Sequence, residues 1–171
     1  MLEVSNKYSI LASELKDSDD AEFEEEINSI REKGDIQMIP DLVEFIKDED
    51  IDTLRRHKIA ELLGDITTTS AREILIESID SLRGKPALAM LISSLWQSRL
   101  DFTPWLSTFV EIMFDDELYS AIEAITLIEN SVEKLNENQK NELRNSIRDR
   151  LIVCNDEMRK FLILDMLNNI I

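Results

Sequence analysis

Chain breakers are scarce in this sequence. Its 171 residues include three glycines and three prolines, where average usage would supply roughly 20 of the two together. The turns of an all-β sandwich or of a dinucleotide-binding unit need more than that. With glycines only at 34, 64 and 84, no glycine-rich phosphate loop can be written, and neither Gly-x-Ser-x-Gly nor His-Glu-x-x-His occurs. Cys154 is the only cysteine, so no intrachain disulfide forms. It follows the apolar run Leu151, Ile152, Val153 and reads as core filler. His57 is the only histidine, which leaves a zinc site or a Cys–His pair short of members. No apolar run approaches the ~20 residues of a membrane helix. The start, Met1 to Lys7, lacks a basic segment followed by an apolar one. These absences set the expectations: no cofactor, no metal, no membrane, no enzyme activity, and a cytoplasmic location.

Cations are also in short supply. Asp and Glu number 36 against 19 Lys and Arg, a formal charge of −17. Nucleic-acid binding draws its affinity from cations that neutralise phosphates, so no nucleic-acid partner is expected. A basic protein would be steered in by the same field. The charge also serves solubility, and both readings stand. Apolar residues make up 43% of the chain, too many for an acidic disordered chain. The composition points to an all-α protein.

Apolar spacing supplies the organisation. In Ile39-Pro40-Asp41-Leu42-Val43-Glu44-Phe45-Ile46, positions 39, 42, 43 and 46 share one helical face, with proline tolerated in the first turn. Sixty-four residues on, Pro104, Leu106, Phe109 and Val110 repeat Pro40, Leu42, Phe45 and Ile46. Half that distance predicts a middle copy, found at Ala71 to Ile79 with Ile74 in the Leu42 place. A second helix follows each copy, over 54–66, 86–98 and 118–130. Its core positions step by 32: Ala60, Ile92, Ala124 and Leu63, Leu95, Leu127. A fourth copy aligns if five residues are inserted at 136–141, which maps Leu106 to Leu143, Val110 to Ile147, Ala124 to Phe161 and Leu127 to Leu164. Upstream, helices are predicted over 4–15 and 20–33, the second stopping at Gly34. The uncharged run Pro86 to Ser98 reads as a central buried helix.

The segment Ile39-Pro40-Asp41-Leu42-Val43, the acidic turn Asp48-Glu49-Asp50 and Arg56-His57-Lys58-Ile59-Ala60-Glu61-Leu62-Leu63-Gly64 together resemble the HEAT-repeat family. The Arg56 place becomes Leu88 and Ser120 in the next copies, and the Gly64 place becomes Trp96 and Ile128. The resemblance implies a right-handed α-solenoid of about five antiparallel helix pairs. Residues 1–34 would form a capping pair, 36–130 three repeats, and 133–171 a fourth, all in one domain. It also implies a ladder between neighbouring repeats, in which Asp50 and Arg56 fit the places of the acidic turn and the arginine, and a concave binding face formed by the second helices. It implies no reaction, because fold does not fix function.

Eight carboxylates against Lys16 between Glu14 and Glu26 suit a polar cap. The metal-like clusters Asp17-Asp19-Asp20 and Asp48-Glu49-Asp50-Asp52 fail the calcium-loop pattern, which wants glycine at its sixth position. Asp50 or Asp52 is expected to cap the next helix instead. Trp96, Phe102 and Trp105 are expected in the core, with a binding role as the other reading. Phe161 to Ile171 is apolar on most faces. Either it packs on the fourth repeat with a frayed end, or another protomer or a partner covers it, which makes homo-oligomer formation a candidate.

The open side of the second helices is predicted to carry three ladders: Lys58, Met90, Ile122, Arg159; Glu61, Ser93, Ile125, Leu162; and Asp65, Gln97, Glu129, Met166. The expected function is non-enzymatic: a scaffold or adaptor that binds a basic protein partner on this face. A neutralising, immunity-type inhibitor of a basic toxin is an alternative version. Family analogy also supplies a bilin-lyase subunit or other enzyme component and, against the charge, a DNA glycosylase.

Overall fold

The computed structural model describes residues 13–170, with side chains to 168. The expected helix over 4–15 lies largely outside these residues, as do Ile171 and the Ile170 side chain. A helical turn at 13–17 leads into nine α-helices: α1 (Asp20–Lys33), α2 (Ile39–Lys47), α3 (Thr53–Gly64), α4 (Ala71–Leu82), α5 (Pro86–Gln97), α6 (Leu106–Asp115), α7 (Leu118–Val132), α8 (Glu137–Val153) and α9 (Glu157–Ile170). Among the described residues there is no strand, and no helix is long and apolar enough to cross a membrane.

Local chemistry explains the helix starts. Asp19 accepts the backbone N–H groups of Ala21 and Glu22 at 2.9 and 3.0 Å, while Glu22 takes the Asp19 N–H at 3.1 Å. That reciprocal box satisfies donors a helix cannot pair internally. Asn136 and Gln139 do the same for α8, at 3.0 Å both ways. Of the acidic turn residues, Asp52 is the cap of α3, holding Leu54 N–H at 2.9 Å. Pro40 and Pro86 sit in first turns. Gly84 takes the α4–α5 turn at φ +69°, a conformation costly for a residue with a Cβ.

The second helices neighbour one another in chain order: α3 packs on α5, α5 on α7, and α7 on α9. In the other row α2 packs on α4 and α6 on α8. Leu63, Leu95 and Leu127 are buried, as are Ala60, Ile92 and Ala124. The uncharged α5 is central, with Leu88, Leu91 and Ile92 fully enclosed.

Two registers differ from the sequence expectation. In the middle copy Leu75 and Ile79 are buried while Ile74 is half-buried. The steps are thus 33 and then 31, which sum to the observed 64. In the last helix Phe161 and Leu164, expected in the core, are 67% and 51% exposed. Ile163, Met166 and Leu167 are buried in their place. The first helices keep the step of 37, with Leu143 and Ile147 buried, but the second helices step by 39. The ladders become Ala60, Ile92, Ala124, Ile163 and Leu63, Leu95, Leu127, Met166, all buried. Cys154 is half-buried and follows exposed Ile152 and Val153, so this run ends a helix instead of filling the core.

Leu63→Ala and Leu127→Ala should each cost about 2–5 kcal/mol in urea unfolding, as large-to-small core changes do. Ile163→Ala should fall in the same range, while Leu164→Ala should stay within about 0.5 kcal/mol, as at ordinary surface sites. A reversed order for these last two would restore the original register.

Candidate functional site

Close packing of α3, α5 and α7 requires small side chains between them. Gly64 shows how tight the approach is: a Cβ there would lie 3.0 Å from the Ser94 carbonyl oxygen. Ala60, Ala89, Ser93, Ser94 and Ser120 continue this small surface across the three helices, and above it opens a groove of about 810 Å³. Its charged rim comprises Arg31, Glu61, Asp65, Glu117 and Glu123, with His57 and Tyr119 beside them.

The rim charges are unequally matched. Arg31 Nε meets Asp65 at 2.9 Å. The Trp96 indole N–H donates to Glu123 at 2.7 Å, which holds that carboxylate in place without neutralising it. Glu61 and Glu117 are exposed and have no side-chain partner among the described residues. With His57 neutral, four carboxylates against Arg31 leave the groove at −3. Ser94 is turned to its own helix, its hydroxyl donating to the Leu91 carbonyl at 2.7 Å.

Five of the predicted face residues meet in this groove: Glu61, Asp65, Met90, Ser93 and Gln97. Lys58 is drawn aside by an ion pair with Glu24. Ile122 is exposed and Glu129 half-buried on α7. Ile125, Arg159 and Met166 are corrections, because all three are buried. The two-residue shift of α9 turns Arg159 and Met166 inward. Arg159 donates to the Met113 and Asp116 carbonyls at 2.5 and 2.7 Å, closing the C-terminal end of α6. In the shifted register it follows Ser120 and occupies the Arg56 place of its repeat. Phe161 and Leu164 take the open positions after Ile122 and Ile125.

Among the described residues neither Asp50 nor Arg56 enters an ion pair, so the expected ladder does not run through them. The hydrogen bond Arg56 makes goes to Thr53 Oγ1 at 3.3 Å, and its Nε and Nη1 have no partner among the described residues. Ion pairs between successive segments occur elsewhere. They join Lys16 to Asp48, Arg55 to Asp20, Lys134 to Asp101, and Arg150 to Asp115, at 2.7, 2.7, 3.7 and 2.5 Å. Arg83 pairs with Asp116 in the same way. Hydrogen bonding from Arg55 holds the Asp20 carboxyl below its ordinary range, and Lys16 does the same for Asp48. The acidic stretch 14–26 is therefore partly engaged: Asp19 and Glu22 close a cap, and Asp20 and Glu24 are paired.

Sequence reasoning missed Arg31, His57, Glu117, Tyr119 and Glu123. His57 had a legible signal, since it lies one turn before Glu61. Trp96 and Trp105 are half-buried, and the Arg72 guanidinium lies 5.6 Å from the Trp105 ring. Phe102, in the loop between the two tryptophans, is buried. Among the described residues no group of three His, Cys, Asp or Glu is arranged to hold a metal ion. Compared with protein-family models, curated proteins and solved structures, the chain matches none.

Glu129 adds a pH-dependent term. Burial, with a smaller contribution from Asp165, raises its pKa above the ordinary 4.5. A raised carboxyl pKa means the folded state favours the protonated form, so the penalty exists above the folded pKa and vanishes below the unfolded one. Glu129→Gln should therefore raise the thermal midpoint at neutral pH. The gain should fade as pH falls below the ordinary Glu value, which paired melts across that window would read.

Proposed function

We propose that the chain is a HEAT-like α-solenoid that binds a cationic protein in the groove over α3, α5 and α7, and carries out no reaction of its own. One observation carries this reading: Glu61 on α3 and Glu117 at the start of α7 stand unpartnered on either side of α5, above a floor of small side chains. Exposed carboxylates in a concave, partly apolar site attract a lysine or arginine and leave room for its stem. Further support comes from the chain-order neighbours α3, α5, α7 and α9. The ion pairs Lys16–Asp48, Arg31–Asp65, Arg83–Asp116 and Arg150–Asp115, each between residues 32 to 35 apart, fit a repeating stack.

The charge of −17 adds long-range attraction, which acts on encounter more than on residence. An adaptor and an inhibitor of a basic toxin would use the same groove. They differ in what the partner loses on binding.

The test is capture from native cell extract on the immobilised chain, at low and high salt, beside a Glu61→Lys/Glu117→Lys variant. The wild type should retain a basic protein that the variant releases. The association rate of the recovered protein should fall steeply between ~0.05 and ~0.5 M salt, as screening shortens the reach of the field. Equal retention by wild type and variant would remove the groove from recognition.

A further inference from the structure

The acidity and most of the exposed apolar surface occupy different parts of the chain. Residues 137–171 hold six Lys or Arg and six Asp or Glu, so the entire charge of −17 belongs to residues 1–136. That short neutral part also holds five of the nine large apolar side chains exposed among the described residues. Met158, Phe161 and Leu164 recur every third residue along α9, which puts them on one face, and they are 58%, 67% and 51% exposed. Ile122, exposed on the neighbouring α7, holds the place that Phe161 takes on α9. Ile152 and Val153 are exposed at the end of α8. Apolar patches of this kind mark interaction surfaces.

We propose that this face is where two copies of the chain meet, tail to tail about a two-fold axis. Charge selects the occupant. A basic partner drawn by the acidic body finds no net charge here to hold it. A second copy, itself at −17, is repelled everywhere else and can approach closely only through its neutral end. Charge also selects the arrangement. Residues 13–35 carry ten Asp or Glu against three Lys or Arg, so a head-to-tail contact would press an acidic surface onto an apolar one. A two-fold contact sets apolar face on apolar face. It also holds each acidic end away by three helix spacings of about 8–10 Å, beyond a ~8 Å screening length. Such a contact is self-complementary and closed, so association stops at the dimer. Phe161, the largest of the α9 trio, is the expected anchor.

The salt response has the opposite sign to that of the groove. Screening relieves repulsion between two acidic bodies and does not weaken an apolar contact, so the dimer should tighten as salt rises.

Sedimentation of the full chain over a range of loadings tests the idea, with Phe161→Glu/Leu164→Glu as the variant. The wild type should sediment as a monomer–dimer mixture whose dissociation constant falls between ~0.05 and ~0.5 M salt. The variant should weaken the dimer at least about tenfold. Both substituted residues are exposed, so helical content and melting of the variant should match those of the wild-type monomer. A milder Phe161→Ser/Leu164→Ser pair provides the same readout should the glutamates disturb folding. A wild type that stays monomeric at every loading overturns the proposal. So does a dimer that survives both variants, a dimer that loosens with salt, or a ladder of masses beyond the dimer. None of these outcomes depends on the groove reading, which concerns α3, α5 and α7 and a different partner.

Discussion

The interaction on which this structure depends is the apolar seam between successive second helices. A single antiparallel pair of helices 9 to 17 residues long cannot bury its own apolar face. Here the second helices bury theirs on one another, α3 on α5, α5 on α7 and α7 on α9. The seam alternates small and large: Ala60, Ile92, Ala124, Ile163, beside Leu63, Leu95, Leu127, Met166. An alanine on one helix leaves room for an isoleucine on the next, which is how close-packed interiors avoid both voids and overlap. At Gly64 the approach leaves room for no side chain without displacing Ser94.

Electrostatics then follows the spacing set by the seam. Lys16–Asp48, Asp20–Arg55, Arg31–Asp65, Arg83–Asp116 and Asp115–Arg150 all join residues 32 to 35 apart, one repeat of the apolar pattern. Each is at least partly exposed, and such pairs are individually weak. Their larger effect is on what remains. Arg55 and Lys58, part of the densest cationic run in the sequence, are turned onto Asp20 and Glu24. Arg56 between them is buried. Cations are thus occupied with neighbouring segments, while carboxylates such as Glu61 and Glu117 stay free at the surface. The exposed field is more one-sided than the composition alone conveys.

The helix order and the seam were legible through the third copy because Ala60, Ile92, Ala124 and Leu63, Leu95, Leu127 step by 32 without interruption. The reading slipped where apolar residues run together. Phe161, Leu162, Ile163 and Leu164 offer four candidates for one inward place, and a 3.6-residue period cannot choose among adjacent ones. The long α8, at 17 residues against 10 for α6, carries two insertions where a single one was assumed. Ile74 and Leu75 posed the same ambiguity in the second copy. The groove was half legible: Glu61, Asp65 and Ser93 share a predicted face. Arg31 reaches it from α1, and Glu117 and Glu123 from the start of α7, and no local pattern in a single helix announces that convergence.

The groove and the seam have one cause. Small residues at Ala60, Gly64, Ala89, Ser93 and Ser94 bring α3, α5 and α7 together, and the same residues leave the surface above them hollow. A larger side chain at Ser93 would fill the hollow, and one at Gly64 would press on Ser94, so binding space and packing cannot be altered independently there. The last pair lacks this arrangement. Leu164 stands in the place of Glu61 and Ser93, and Phe161 in that of Lys58 and Met90, so the surface that is concave and acidic over α3 and α5 becomes full and apolar over α9. A change of side-chain size and charge at equivalent positions, with the backbone pattern held constant, is enough to give one row of helices two chemically opposed surfaces.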